Sequence, residues 1–365
     1  MEDNPESHNT PSALPDWRPH ERLLAELPFA PSIRTLLCNT AGRGQFAIET
    51  AAKHPLLEIT CQLHDQFVYN QCATFALPNL HWRCEADLPA VEFDAAALAL
   101  GQHGEAEFVR DLLQGAWNQL RIGGQLIAAT DNPRDRWLDE QLVALSGKLV
   151  RRSHEQGRIY IATKREPLRK QKRFECELVF RDGERLLKLR TRPGVFSHRQ
   201  VDPGARALIR AMSILDGMHV LDLGCGSGAV AVAAAARASR VQVLALDSNP
   251  RAVEAVQWAA VANQLPSLHP MLDCDGSAIR NAPVDSWYRP GQFDLVATNP
   301  PYYSNFRIAD LMIQTAEEAL APEGQLLVVT KSPEWYTERL AENFADIEFL
   351  DARQYIVVRA TRRGR

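Results

Sequence analysis

The chain has 365 residues, 45% of them hydrophobic and 24% charged, with a formal net charge of −4. That length allows two ordinary domains, each with its own core, and the composition excludes fibrous and wholly disordered classes. The longest near-continuous apolar run, Ala229 to Ala236, is far short of the roughly 18 residues a membrane span needs, so no membrane partner is expected.

Residues 1–20 are polar, carry prolines at 5, 11, 15 and 19, and are expected to form a disordered lead-in, neither a signal peptide nor a helix. Seven cysteines without a C-x-x-C pair then predict reduced thiols and a cytoplasmic chain. A first unit, 21–165, alternates short apolar strands with helical stretches. Thr35–Cys38 reads as a strand, Gln45–Lys53 as a helix and Leu57–Leu63 as the next strand. Ala95–Leu100 is a buried strand, followed by a helix over Glu107–Gln119, a strand at Gln125–Ala129 and a final edge strand at Arg158–Ala162. Such alternation implies an α/β fold with a doubly wound, mostly parallel sheet.

Residues 166–191 form a basic linker and a hairpin, with Phe174–Phe180 and Arg185–Arg190 flanking Asp182-Gly183. From Lys164 to Arg206 thirteen Lys or Arg face six Asp or Glu, and Arg359–Arg365 adds a second basic cluster. A belt of this kind suits a polyanion such as RNA, or is a solvated linker. After a loop, Arg192–Gly204, a helix starts near Ala205 and the unit 192–365 repeats the β/α alternation as far as a closing strand at Gln354–Arg359.

The two units share a pattern. The second reads Val220-Leu221-Asp222-Leu223-Gly224-Cys225-Gly226-Ser227-Gly228, then Leu246-Asp247, Phe293-Asp294, Asn299-Pro300-Pro301-Tyr302 and Gly324-Gln325-Leu326. The first keeps Phe93-Asp94 and Gly124-Gln125-Leu126 at the same separation, but has Cys38 in place of Asp222, Thr40 in place of Gly224 and Ala99-Leu100-Gly101 in place of Asn-Pro-Pro. Asp65 could mimic Asp247, though a surface role suits it better. The first unit should therefore fold and bind no cofactor.

A strand ending in Asp222, a glycine turn and an Ala-rich helix place backbone N–H groups at a helix N-terminus, where a ligand can approach closely. Asp247, at the next strand end, can accept both hydroxyls of a ribose. Gly224-x-Gly226-x-x-Ala229 also fits a nicotinamide site. Asp222 opposes a pyrophosphate, however, and suits the cationic methionine part of S-adenosyl-L-methionine. The Asn299 side-chain oxygen and the Pro300 carbonyl can together accept hydrogen bonds from one NH2 group, and Tyr302 can stack on the ring that bears it. Catalysis of that kind is mainly positioning. Cys225 has no local His to activate it, His198 could touch RNA or nothing, and His64, His81 and Cys84 do not form a metal-binding spacing, so no metal is expected.

The second unit resembles the class I S-adenosylmethionine-dependent methyltransferases that act on amino groups. The duplicated layout, with Pro193-Gly194-Val195-Phe196-Ser197, Asp202 and Gly204 before the helix, resembles the bacterial ribosomal RNA guanine-N2 methyltransferases, both the small-subunit methyltransferase C type and the large-subunit methyltransferase G type. That resemblance implies two tandem Rossmann-like domains, the first degenerate. It implies a methyl transferred to the exocyclic N2 of a guanine, in 16S rather than 23S rRNA, and a monomeric enzyme with ribosomal RNA or a ribosomal subunit as partner. By the same resemblance Gly224, Gly226 and Gly228 line the cofactor's methionine and ribose, and Asp275 holds its adenine amine, with Asp273 a close rival. Tyr302 departs from the pattern, because these rRNA enzymes more often carry Phe there. An adenine-N6 or release-factor glutamine methyltransferase therefore stays open as an alternative. So do a non-catalytic ribosome-assembly factor and a nicotinamide oxidoreductase, although Gly224, Asp247 and Asn299 together argue against the assembly factor.

Overall fold

A computed structural model describes residues 17–102, 104–301 and 305–364. The lead-in 1–16, Tyr302 and the terminal Arg365 lie outside the described residues. Pro19 and His20 do not extend that lead-in, because they open helix α1 (Pro19–Ala25). A proline in the first helical turn has no N–H to leave unbonded, and the helix buries His20, Glu21, Leu23 and Leu24.

The first sheet is built from β1 (Thr35–Cys38), α2 (Gln45–Lys53), β2 (Glu58–Leu63), α3 (Gln66–Cys72), β3 (Leu80–Cys84) and β4 (Phe93–Ala99). It continues through α4 (Ala106–Gln119), β5 (Leu120–Thr130), α5 (Trp137–Ser146), β6 (Val150–His154) and β7 (Gly157–Thr163). The strand order is β3-β2-β1-β4-β5-β7-β6, with β7 antiparallel to both of its neighbours. The strand expected at Arg158–Ala162 is therefore not an edge. Val150–His154, too polar to read as a strand, pairs outside it, and its exposed Arg151 and Arg152 blunt the real edge.

The hairpin β8 (Cys176–Asp182) and β9 (Arg185–Thr191) turns at Gly183, with Asp182 opposite Arg185. Its Phe180, Leu187 and Leu189 join the core of the second half. There follow α6 (Pro203–Ala211), β10 (His219–Leu223), α7 (Ala229–Arg237), β11 (Gln242–Asp247), α8 (Pro250–Ala262) and β12 (Leu268–Leu272). The chain ends with α9 (Ser277–Arg280), β13 (Phe293–Thr298), α10 (Arg307–Ala319), β14 (Leu320–Thr330), α11 (Pro333–Leu340), β15 (Phe344–Ala352) and β16 (Tyr355–Arg362). The order β12-β11-β10-β13-β14-β16-β15 repeats the first sheet strand for strand. Ala229–Ala236, the longest apolar run, is helix α7 buried along that whole length.

The shared Phe-Asp and Gly-Gln-Leu steps have a structural cause. Phe93 and Phe293 are buried. Asp94 accepts from the Thr35 N–H at 3.1 Å and Asp294 from the His219 N–H at 2.8 Å, so each acid ties down the start of the neighbouring central strand. A side chain on Gly124 would come within 3.0 Å of the Asp94 carbonyl, and one on Gly324 within 2.8 Å of the Phe293 carbonyl. These repeats are conditions for the sheet and carry no chemistry.

Candidate active site

Helix α7 and the ends of β10, β11 and β13 converge on one loop. Gly224, Gly226 and Gly228 all have positive φ (78°, 51° and 81°), and Gly228 caps α7 in the left-handed conformation. A Cβ on Gly228 would stand 2.7 Å from the Val256 side chain, so the turn demands glycine twice over. Asp222 is 3% exposed and accepts from the Ala231 N–H at 2.9 Å. Burial pushes its carboxyl up to about 7, and the charge of Asp247 adds to the shift. Asp247 accepts from the Gly226 N–H at 2.8 Å and the Asn249 N–H at 2.9 Å. Burial raises this carboxyl too, and those two bonds restrain the rise.

The loop after β12 separates its two acids. Asp273 is buried and accepts from the Asp275, Gly276 and Ala278 N–H groups and from the Ser277 hydroxyl, so it holds the loop closed. Asp275 accepts from the Ser277 N–H at 3.0 Å and otherwise stands half-exposed, 3.7 Å from Arg280. At the end of β13 the Thr298 hydroxyl donates to the Leu223 carbonyl at 2.8 Å, which locks β13 beside the glycine loop. The next residue, Asn299, donates from Nδ2 to Asp202 Oδ2 at 3.0 Å, and Pro300 is buried.

The structure also places the other residues singled out in the sequence. His198 does not face solvent, because it is buried against Thr191 and lies 3.5 Å from Glu107. Burial holds the Cys225 thiol protonated, which suits a space-filling role. Lys164 is buried and donates to the Asn118 and Leu120 carbonyls, so the exposed belt starts at Arg165. Arg359, Arg362 and Arg363 bond the Ala211, Leu320 and Phe344 carbonyls, so the C-terminal cluster braces its own domain. Sequence reasoning gave no role to Asp202, to Phe196 beside Gly226, or to the stack of Phe306 on Trp335 at 4.6 Å beyond the Asn-Pro-Pro turn. Only Asp202 carried a local signal, as an acid just ahead of Pro203 at a helix start.

The equivalent loop of the first half is built differently. Strand register sets Cys38 opposite Ala97 as Asp222 stands opposite Ala297. The position of Asp247 is taken by Leu63, not by Asp65, which instead caps α3 as Asn249 caps α8. Glu21 of α1, fully buried, fills the loop. Its carboxylate accepts from the Thr40 hydroxyl at 2.5 Å, the Ala41 N–H at 2.7 Å and the Gly42 N–H at 3.1 Å. That is a built-in anion at a glycine loop.

The two halves meet beside the second loop. Gly194 donates to Glu105 at 3.1 Å, Arg199 pairs with Glu107 at 2.7 Å, and the buried Arg251 pairs with Asp111 at 2.7 Å over the Phe108 ring. Arg251 also donates to the Pro193 carbonyl at 2.7 Å. Segment 193–199, which reaches Gly226 through Phe196, is thus gripped by the first half.

Residues 186–359 match the family model of the methyltransferase small domain. That match spans the second sheet, from β10 into β16. Curated relatives include the ribosomal RNA small subunit methyltransferase C of Pseudomonas aeruginosa, 32% identical over 155 residues, which covers 41% of this chain and 43% of that protein. The corresponding protein of Pseudomonas entomophila is 30% identical over 191 residues, covering 51% and 54%. The chain therefore spans about half the length of the curated relatives it matches. A solved T. thermophilus 16S rRNA N2 G1207 methyltransferase, in complex with AdoMet and guanosine, superposes with a TM-score of 0.80 at 23% identity. That superposition covers 95% of this chain and 92% of the other, so both sheets share its fold. Among the described residues no group of three or more His, Cys, Asp or Glu is placed to hold a metal ion, and no helix is long and apolar enough to cross a membrane.

Proposed function

We propose that the chain is an S-adenosylmethionine-dependent methyltransferase that transfers a methyl to the exocyclic N2 of a guanine in 16S rRNA, with the first half as a non-catalytic partner. The observation that carries this reading is the placement of Asn299-Pro300 at the end of β13, locked through Thr298 to the strand that leads into the glycine loop. The residues present fit the cofactor. A helix N-terminus with glycines, a carboxylate at the next strand end and a buried Asp222 suit a ribose and a cation. The names of the curated relatives and of the superposed structure support the substrate class.

When bound, S-adenosylmethionine supplies an electrophilic methyl on a sulfonium. The protein's part is positional. Gly224, Gly226 and Gly228 let the ligand close on the backbone, Asp247 takes its ribose hydroxyls and Asp275 its adenine amine. The Asn299 Oδ1 and the Pro300 carbonyl accept from the guanine amine and turn its lone pair toward the methyl carbon. The surplus proton on the methylated amine would then pass to solvent, so no strong base is needed. The target base must be unstacked to reach Asn299, which favours a loop or an open subunit over a duplex.

The test incubates the protein with labelled S-adenosylmethionine and ribosomal RNA or subunits from cells lacking this gene. N2-methylguanosine at one 16S site is expected, and label in N6-methyladenosine or in protein would move the target instead. Asn299→Ala should abolish transfer and leave cofactor binding largely intact. Normal turnover in that variant would sink the site assignment.

A further inference from the structure

We infer that Asp202 is the positioning residue that fixes which end of the Asn299 amide faces the substrate, with Gly204 making room for the pair. The inference deepens the reading above and rests on it for the substrate. An asparagine side chain presents two ends of nearly equal size, and only the oxygen can accept a hydrogen bond. An amide turned the wrong way would present N–H donors to a substrate amine that is itself a donor, and the orienting hydrogen bond would not form.

An ionised carboxylate only accepts, so it discriminates between the two ends. Asp202 Oδ2 takes the Asn299 Nδ2 at 3.0 Å and the Ala205 N–H at 3.0 Å. A flipped amide would set its oxygen against that carboxylate oxygen, lone pair to lone pair. With Nδ2 engaged, the oxygen is the atom Asn299 offers to the substrate. The pair needs a bare Cα next to it. A Cβ on Gly204 would lie 2.7 Å from Asp202 Oδ2 and 3.1 Å from Asn299 Nδ2.

The first half supplies an internal comparison. Its α1 opens at Pro19 as α6 opens at Pro203, so Arg18 stands where Asp202 does and His20 where Gly204 does. Ala99 stands where Asn299 does, by the register of β4 and β13 against their neighbours. Acid, glycine and asparagine are thus absent together from the half with the filled loop. A residue kept only to cap a helix would have no reason to disappear along with Asn299.

Three variants separate the role from the helix cap. Asp202→Ser keeps a capping hydroxyl but is too short to reach Asn299. Asp202→Asn keeps an oxygen that can accept from both donors. Gly204→Ala pushes a methyl between the two side chains. The expected result for Asp202→Ser is a kcat lowered about 100-fold, with KM for the RNA, the Kd for S-adenosylmethionine and Tm close to wild type; Gly204→Ala should lose rate as well, with a lower Tm because its methyl also lies 3.1 Å from the buried Val329. Asp202→Asn should recover most of the rate. Wild-type turnover in Asp202→Ser overturns the inference. So does an Asp202→Asn enzyme as slow as the Ser variant, or a fall in Tm and cofactor affinity of the Ser variant that matches its fall in rate.

A second readout needs no substrate. With 15N-asparagine labelling, the Asn299 side-chain amide protons should exchange slowly in wild type and in Asp202→Asn, and quickly in Asp202→Ser. Equal exchange in all three overturns the inference. If wild type fails to methylate rRNA, the functional proposal falls, and this measurement still decides the role of Asp202.

Discussion

Asp222 is a carboxyl almost without water, and its protonation opposes ordinary expectation. In the folded chain burial keeps its proton up to about pH 7, whereas an unfolded chain releases it near 3.9. Between those values the folded state binds more protons, so the contribution of this group to stability is complete below about pH 4 and is lost as pH rises through 7. The span corresponds to roughly 4 kcal/mol. His64 works in the other direction. Burial, with Arg251 and Arg192 nearby, pushes it down to about 3, so its contribution is complete above about 6.5 and is lost as pH falls toward 3. The two slopes oppose each other over the same window, and the pH profile of wild type alone is uninformative. Asp222→Asn isolates the effect, because Asn imitates the protonated acid. Its stability relative to wild type should rise by several kcal/mol between pH 4 and 8, measured by denaturant unfolding of the ligand-free protein. Parallel profiles would show that Asp222 titrates normally. In the proposed function a cationic ligand beside Asp222 would pull this value back down, since a positive charge favours the ionised form.

At the level of elements, α1 and α6 are the same helix put to different uses. In the second half α6 opens with Asp202 and leaves the glycine loop clear, while in the first half α1 sends Glu21 into the loop. Glu21→Ala would take this acceptor from the Thr40 hydroxyl and the Ala41 N–H, while the Gly42 N–H keeps the Thr40 hydroxyl oxygen at 3.0 Å, a cost of about 2 kcal/mol. Binding of S-adenosylmethionine should remain at one site per chain, since Leu63 and Ala99 still replace the ribose and target contacts. Calorimetry that found two sites, or an unfolding curve like that of wild type, would refute this account. How legible the elements were follows from the kind of signal each carries. Thr35–Cys38 and Gln45–Lys53 were read to the residue because apolar runs with clear breaks define them. β6 went unseen because Val150–His154 has the composition of a surface loop. Asp65 stayed open as a counterpart of Asp247, with a surface role preferred, because the offset of two residues shows only in strand register. Glu21 could not be read at all, since its role depends on hydrogen bonds with residues twenty positions away.

Across the whole molecule the question is where a large polyanion would lie. Thirteen basic residues between 164 and 206 suggested one belt, and the structure divides them. Lys164, Arg185, Arg192 and Arg199 are held by carbonyls or carboxylates. Arg181, Lys188 and Arg206 are exposed on the hairpin and on α6, and the linker between the two halves exposes Arg165, Arg169, Lys170, Lys172 and Arg173, of which Arg169 pairs weakly with Glu166. The first half grips segment 193–199 through Glu105, Glu107 and Asp111, and its Gln114 bonds both the N–H and the carbonyl of Lys172, which ties these cations to the same half. Under the proposed function, RNA running along them would be delivered toward the glycine loop, which would give the first half a role in substrate placement. Charge reversal at Arg169, Lys170 and Lys172 should then weaken RNA binding and flatten its dependence on salt, by roughly 0.7–0.9 in the log–log slope for each phosphate that is no longer neutralised. Methylation of RNA at saturating concentration should change little, because Asn299 and its surroundings are untouched. An RNA affinity and salt slope equal to wild type would remove the belt from the binding surface and leave the first half with its grip on segment 193–199 as its remaining contribution to the site.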